Sequence, residues 1–176
     1  RIEVAMQFRN TVLYETGAGR TFPGAEKFTT PHKARVLFLC TGTSCRSRMA
    51  EAWANHLGSA WLEARAAGIE SHGENPRAVA VMHEAGMDIS RRESARLTSE
   101  LLAWADLVVT VCQQADESCP ALPHGTRKNH WPLNDPATAT GTDEEIMQVF
   151  RASRDLIRTC VTSLVVELRT REAARR

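Results

Sequence analysis

Long apolar runs and an excess of charge of one sign are both missing from this chain of 176 residues. No segment approaches the roughly 18 consecutive apolar residues that a membrane-spanning helix needs. The 22 basic and 21 acidic residues leave a formal net charge of +1, which gives no broad electrostatic field for a nucleic acid or an anionic membrane surface. We therefore expect neither of these partners, and we expect the chain to bind a small molecule.

A secretory signal, in which a basic segment precedes an apolar one, is also missing from the first residues. The chain has five cysteines, an odd number that does not suit a frame of paired disulfides. We therefore interpret the cysteines as reduced thiols and expect a cytoplasmic protein.

Short apolar runs alternate with amphipathic segments from residue 34 onward. The predicted order is strand, helix, strand, two helices, two strands and a long helix, which implies a parallel sheet with helices on both faces. We predict a single α/β domain over residues 34–176 with a four-stranded parallel sheet, and an extension or flexible tail over residues 1–33. The predicted strands cover residues 35–39, 61–67, 107–111 and 130–133, and the predicted helices begin near residues 47, 76, 99 and 143.

The segment over residues 113–127 is polar and contains two prolines and a glycine. This composition predicts a surface segment with little regular structure. Because the segment begins directly after Cys112, it is a candidate mobile element beside that cysteine.

Cys40 ends the first predicted strand, and Arg46 follows it after five small residues. A strand that turns through small residues into a helix points successive backbone N–H groups at one spot, where the helix dipole also favours negative charge. The same field lowers the pKa of a cysteine at the turn and favours the thiolate, which is the reactive form. Arg46 adds a planar group able to bind two oxygens of one anion. We therefore predict a pocket for a tetrahedral oxyanion, with Cys40 as the nucleophile and with Thr41, Gly42, Thr43, Ser44, Cys45, Arg46 and Ser47 as binding residues.

Two further reactive side chains follow predicted strands. Cys112 comes directly after the third strand, and Asp135 comes just after the fourth. In an open parallel sheet, ligands bind outside the carboxyl ends of the strands, so we expect both residues near Cys40. On these residues alone, hydrolysis and redox chemistry both remain open.

Several short segments occur here in an order typical of one family. They cover residues 36–42, 44–47, 49–51, 68–70, 88–90, 112–119 and 135–136, and any one of them alone would be a weak signal. Together they make the chain, from about residue 35 to residue 170, resemble the thioredoxin-coupled arsenate reductases. These enzymes share the fold of the low-molecular-weight protein tyrosine phosphatases. The resemblance implies that fold, with its flavodoxin-like architecture, and arsenate as the substrate.

The resemblance also implies a role for each candidate residue. Cys40 would form an adduct with arsenate, stabilised as a thiolate by Ser47, and Asp135 would protonate the leaving oxygen. Cys112 would attack Cys40 and expel arsenite, and Cys119 would then attack Cys112. Thioredoxin would reduce the final disulfide, and the reaction would serve arsenic detoxification.

Two features depart from the patterns of the relatives. Thr43 stands where the family commonly has Asn, a residue that helps bind a structural potassium ion in some members. We therefore do not expect the potassium dependence of those members here. The histidines show no mutual ligand spacing, so we expect no metal site, and we expect no cofactor beyond the reducing equivalents of thioredoxin. Phosphatases of this fold carry tyrosines after the Asp-Pro pair to hold an aromatic substrate, whereas the single tyrosine here is Tyr14. A small inorganic anion fits this chain better than a phosphotyrosine.

Two alternatives belong to other functional classes. A phosphatase acting on a phosphomonoester would need Cys40, Arg46 and Asp135, but not the distal cysteines. A thiol redox sensor or an oxyanion-binding module would use oxidation of the segment between Cys112 and Cys119 to alter a partner contact, and Asp135 would then be idle.

Overall fold

The structure is a computed structural model that describes residues 33–42, 45–70, 73–90 and 95–174. Apart from Lys33, the predicted extension over residues 1–33 lies outside the described residues. The elements are β1 (Ala34–Gly42), α1 (Arg46–Gly58), β2 (Leu62–Glu70), α2 (Pro76–Glu84), α3 (Ser99–Trp104), β3 (Leu107–Thr110), α4 (Gln113–Glu117), β4 (Arg127–His130), a 3-10 turn (Pro136–Thr138) and α5 (Asp143–Ala173).

The four strands form one sheet in the order β2-β1-β3-β4, and every neighbouring pair is parallel. This arrangement confirms the predicted fold class. The central strand β1 is apolar, and Val36, Leu37, Phe38 and Leu39 are fully buried. Parallel strands buried on both faces carry continuous apolar runs, so the sequence of β1 itself predicts its central place.

The register between β1 and β3 determines where the reactive side chains lie. Leu39 pairs with Thr110, and the N–H of Val111 donates to the carbonyl of Leu39 at 2.9 Å. Cys40 and Cys112 therefore leave the sheet side by side, although they are 72 positions apart in the sequence.

Local capping signals set the starts of two helices. The side chain of Asn75 accepts hydrogen bonds from the N–H groups of Arg77 and Ala78, with Pro76 at the first helical position of α2. Thr142 and Glu145 form a capping box at the start of α5, the helix that the sequence predicts to begin near residue 143. The helix α5 packs against α1 and α2.

The structure differs from two of the predictions. Residues 113–127 were expected to have little regular structure, and within them Gln113–Glu117 forms the short helix α4, because Ala115 is fully buried and Asp116 bonds to the sheet. The fourth strand covers Arg127–His130 rather than residues 130–133. The strand β4 lies at the sheet edge and pairs only with β3, so it needs no apolar run. The prediction searched for apolar residues and therefore placed this strand too far along the chain. Within the described ranges, no helix is both long enough and apolar enough to cross a membrane.

We expect the stability of the domain to depend on the core around β1. Leu39 is fully buried, whereas Leu156 on α5 is 52% exposed. Replacing Leu39 with alanine leaves a cavity, so the free energy of unfolding should fall by about 2–5 kcal/mol. The control Leu156→Ala should change it by less than about 1 kcal/mol. Urea unfolding followed by circular dichroism measures both, and equal losses would contradict this placement of the core.

Candidate active site

A cavity of about 490 Å³ opens where the carboxyl ends of β1 and β3 meet the residues after β4. It brings together most of the predicted site. Thr43 and Ser44 lie outside the described residues, and neither Ser47 nor Cys119 lines the cavity. The lining residues are Cys40, Thr41, Gly42, Cys45, Arg46, Cys112, Gln113, Gln114, Leu133, Asn134 and Asp135.

Cys40 and Cys112 form the floor of the site. Their Sγ atoms lie 3.8 Å apart, both side chains are buried, and both are free thiols. The hydroxyl of Thr41 lies 3.2 Å from Cys112 Sγ. Two thiols at this separation can exchange a proton and can form a disulfide after a small movement.

The contact between the two thiols shifts their pKa values in opposite directions. The hydrogen bond from the Cys40 thiol, supported by the Thr41 hydroxyl, lowers the pKa of Cys112 to about 5. Donating that hydrogen bond, together with burial, raises the pKa of Cys40, while the charge of Arg46 and the N–H of Thr41 act in the opposite direction. Because the two groups titrate as a pair, the thiolate can pass to Cys40 when the proton crosses to Cys112.

Arg46 is the cation of the site. Its side chain is 8% exposed, its Nη1 donates to the carbonyl of Leu133 at 2.7 Å, and its Nη2 lies 3.3 Å from a carboxylate oxygen of Asp135. Its buried Nε has no hydrogen-bond partner among the described residues. Since buried polar groups are nearly always hydrogen-bonded, this guanidinium retains the capacity to bind an anion.

Asp135 lies at the rim of the cavity and caps the start of the 3-10 turn. One carboxylate oxygen accepts from the N–H of Ala137 at 3.0 Å, and the other lies near Arg46. Its side chain is 40% exposed. The carboxyl group is thus held at the edge of the pocket while still in contact with solvent, a position from which it can deliver a proton.

Ser47 is fully buried in the first turn of α1. The resemblance implies a hydrogen bond from Ser47 to Cys40, but the Ser47 hydroxyl has no partner among the residues that the structure describes. In this arrangement the Cys40 thiol interacts with Cys112 instead.

Cys119 lies two residues beyond the end of α4 and is half-buried. Burial raises the pKa of its thiol, and the charge of Lys128 counteracts part of that effect. Seven residues along a helix span about 10 Å, whereas a disulfide needs Cα atoms within about 7 Å. Cys112 and Cys119 lie beyond opposite ends of α4, and a bond between them is out of reach if the whole segment keeps the helical rise, so we expect that bond to form only when α4 opens.

The sequence reasoning missed the glutamines of α4, Gln113 and Gln114, which line the cavity. It also assigned Thr41 only to anion binding, whereas its hydroxyl contacts Cys112. The position of these residues in the sequence could have identified them. Thr41 directly follows Cys40 on β1, and both glutamines follow Cys112 at the end of β3.

Comparison with known proteins gives one family and a consistent set of relatives. Residues 35–174 match the family described as low molecular weight phosphotyrosine protein phosphatase. An arsenate reductase of Halalkalibacterium halodurans is 52% identical over 127 residues, which cover 72% of this chain and 91% of that protein. An arsenate reductase of Bacillus subtilis is 50% identical over 123 residues, which cover 69% of this chain and 88% of that protein.

Solved structures give the same fold. An arsenate reductase in its phosphate-binding state matches with a TM-score of 0.61 at 30% identity, over 76% of this chain and 98% of its own. A low-molecular-weight protein tyrosine phosphatase from T. tengcongensis matches with a TM-score of 0.67 at 26% identity, over 77% of this chain and 99% of its own. Phosphatases and reductases therefore share this backbone, and the choice between them depends on the side chains of the site.

We expect Thr41→Val to raise the pKa of Cys112, because valine keeps the shape of the side chain and removes the hydroxyl that stabilises the thiolate. Loss of one hydrogen bond to a charged group should move the midpoint for alkylation of Cys112 upward by about one pH unit. Rates of alkylation between pH 4 and 9, resolved by peptide mass spectrometry, give that midpoint. Thr126→Val is the control, since the Thr126 hydroxyl donates to Ala105 instead. Identical midpoints in the wild type, Thr41→Val and Thr126→Val would contradict the claim that the Thr41 hydroxyl stabilises the Cys112 thiolate.

Proposed function

Since the chain belongs to the low molecular weight phosphotyrosine protein phosphatase family, we propose that it adapts the oxyanion pocket of that family to reduce arsenate to arsenite. The observation that carries this proposal is the second thiol, Cys112, 3.8 Å from Cys40. Hydrolysis of a phosphomonoester needs one nucleophile, whereas reduction of arsenic(V) needs two electrons, which two thiols supply when they form a disulfide. The likeness to relatives named arsenate reductase supports the same choice.

Binding and attack form the first step. Arsenate enters the cavity and replaces the carboxylate of Asp135 as the partner of Arg46, which frees that carboxyl group to carry a proton. The proton shared by the thiols crosses to Cys112, and the Cys40 thiolate attacks arsenic. Asp135 protonates the leaving oxygen, which departs as water. The product is an adduct with a sulfur–arsenic bond, and arsenic is still in the +5 state.

Reduction is the second step. Cys112 passes its proton to an oxygen of the arsenic adduct, and the hydroxyl of Thr41, 3.2 Å from Cys112 Sγ, stabilises the resulting thiolate. That thiolate attacks Cys40 Sγ, and the sulfur–arsenic bond breaks with its electron pair remaining on arsenic. Arsenic(III) leaves as arsenite, and the two sulfurs form the Cys40–Cys112 disulfide. The two electrons gained by arsenic are the two lost by the thiols.

Regeneration is the third step. The Cys119 thiolate attacks Cys112 Sγ, and Cys40 leaves as a thiolate, ready for another arsenate. The disulfide now lies between Cys112 and Cys119, and the half-buried position of Cys119 favours its access to a protein dithiol. We propose thioredoxin as that reductant and the cytoplasm as the compartment, where thiols are kept reduced. Removal of arsenate from the cell would then be the physiological role.

The phosphatase alternative has one specific observation in its favour: Cys40, Arg46 and Asp135, which are all that phosphoester hydrolysis needs, line one cavity. The family name also points to it. It leaves the contact between the two thiols without a chemical role. The sensor alternative gives the thiols a role but leaves Asp135 without a chemical role.

The test is arsenate-dependent consumption of NADPH in the presence of thioredoxin and thioredoxin reductase. We expect steady turnover by the wild type and a loss of at least about a hundredfold in Cys40→Ser, Cys112→Ser and Cys119→Ser, since each lacks one sulfur of the relay. Cys160→Ser is the matched control, because Cys160 lies on α5 away from the cavity, and it should retain turnover.

Each other outcome has a defined meaning. Full turnover by Cys119→Ser would remove the third sulfur from the scheme. If the wild type, Cys112→Ser and Cys119→Ser all hydrolyse a phosphoester, and arsenate causes no NADPH consumption, the protein is a phosphatase instead.

A further inference from the structure

The helix α4 has two tasks that oppose each other under the proposed function. It must hold Cys112 beside Cys40 while arsenite forms, and it must unwind when Cys119 attacks. A helix of five residues has little intrinsic stability, so contacts with the rest of the domain decide how often it opens.

One side chain of α4 carries most of its polar attachment to the sheet. The carboxylate of Asp116 accepts a hydrogen bond from the Thr110 hydroxyl at 2.8 Å and pairs with Lys128 Nζ at 2.8 Å. Lys128 Nζ also donates to the backbone carbonyl of Asp116 at 3.1 Å. Thr110 is fully buried at the end of β3, and Lys128 lies on β4. Asp116 is thus bound to two neighbouring strands at once.

His130 completes this group of side chains. Its Nδ1 lies 2.9 Å from the Thr110 hydroxyl and 3.6 Å from the Asp116 carboxylate. The imidazole therefore helps to fix the hydroxyl that donates to Asp116. We call Thr110, Asp116, Lys128 and His130 the α4 tether.

Among the contacts between described residues, the rest of α4 has no comparable attachment. Gln113 donates to Glu117 within the helix itself, and Gln114 reaches Thr41 only at 3.5 Å. Ala115 contributes an apolar contact and no hydrogen-bonding side chain. The tether also lies away from the reacting atoms, because none of its four residues lines the cavity.

We propose that Asp116 and Lys128 are positioning residues of the relay, which set the balance between the folded α4 that presents Cys112 to Cys40 and the unwound α4 that presents Cys112 to Cys119. The proposal rests on the proposed function, because it assigns a role in its last exchange step. In that step Cys119 attacks Cys112 Sγ, the Cys40–Cys112 bond breaks, and Cys40 leaves as a thiolate. The tether itself exchanges no atoms or electrons.

The effect of weakening the tether depends on which redox states of the protein contain it. The reduced protein and the Cys40–Cys112 disulfide keep α4 folded and the tether made, whereas the Cys112–Cys119 disulfide requires it to be broken. Weakening the tether therefore destabilises only the states with folded α4. The Cys112–Cys119 disulfide should become easier to form and harder to reduce.

The first test needs no arsenate. Amide hydrogen exchange over residues 113–118 is measured in the reduced full-length wild type, Asp116→Asn and Glu117→Gln. The two variants make the same change of carboxylate to amide on neighbouring residues of one helix, but only Asp116 belongs to the tether. We expect exchange to be about three- to tenfold faster in Asp116→Asn alone. Equal exchange in all three proteins would overturn the proposal.

The second test measures the redox equilibrium of Cys112 and Cys119. In a Cys40→Ser background, equilibration with reduced and oxidised dithiothreitol gives the equilibrium constant for the Cys112–Cys119 disulfide. Asp116→Asn and Lys128→Met should shift it about three- to tenfold toward the disulfide, while Lys128→Arg, which keeps the charge, and Glu117→Gln should not. A tether that only stabilised the domain would leave this constant unchanged, and an unchanged constant overturns the proposal.

The third test separates this proposal from the proposed function. The full chain is treated with stoichiometric arsenate without a reductant, and its disulfides are mapped over time. Asp116→Asn should hold less of the Cys40–Cys112 disulfide than Glu117→Gln does. If the wild type makes no Cys112–Cys119 disulfide, the relay fails and this proposal fails with it. If the wild type relays and Asp116→Asn matches Glu117→Gln, only the proposal fails.

Discussion

The contact between Cys40 and Cys112 is the interaction on which the proposed chemistry of this domain depends. It exists because β1 and β3 are parallel neighbours whose registers end together, with Leu39 opposite Thr110. The two Sγ atoms lie 3.8 Å apart and both thiols are buried, so the two groups titrate as a pair. Arg46 favours the thiolate on Cys40, and Thr41 favours it on Cys112. One sheet edge can therefore activate two nucleophiles in turn.

The same edge joins a rigid part to a movable one. The rigid part is β1 with the start of α1, where Cys40 and Arg46 are buried against the core. The movable part is α4, five residues long and attached to the sheet mainly through Asp116. An anion pocket needs fixed geometry, whereas the proposed transfer of a disulfide to a third sulfur needs changing distances. Under that proposal, the place of the second cysteine at the junction between the two parts meets both needs.

The parts of this picture that could be predicted from the sequence are those encoded locally. The buried run of β1, the capping box at Thr142 and the place of Cys40 and Arg46 in one pocket each carry their signal within a few residues, and the carboxyl-edge rule then brings Cys112 and Asp135 to the pocket. What failed was encoded by contacts between distant segments. The helix α4 forms although its sequence is polar, because Lys128 and Thr110 hold it, and β4 is a polar edge strand without an apolar pattern. Similarly, no spacing rule predicts that Arg46 contacts Asp135 and Leu133.

The most direct test of the central claim, that Cys40 and Cys112 act as one two-electron reductant, is a single turnover without any external reductant. The fully reduced protein, with five free thiols, is mixed with excess arsenate, and both arsenite and remaining thiols are counted. The account predicts one arsenite per chain and a fall from five free thiols to three. An unchanged thiol count with no arsenite would contradict it.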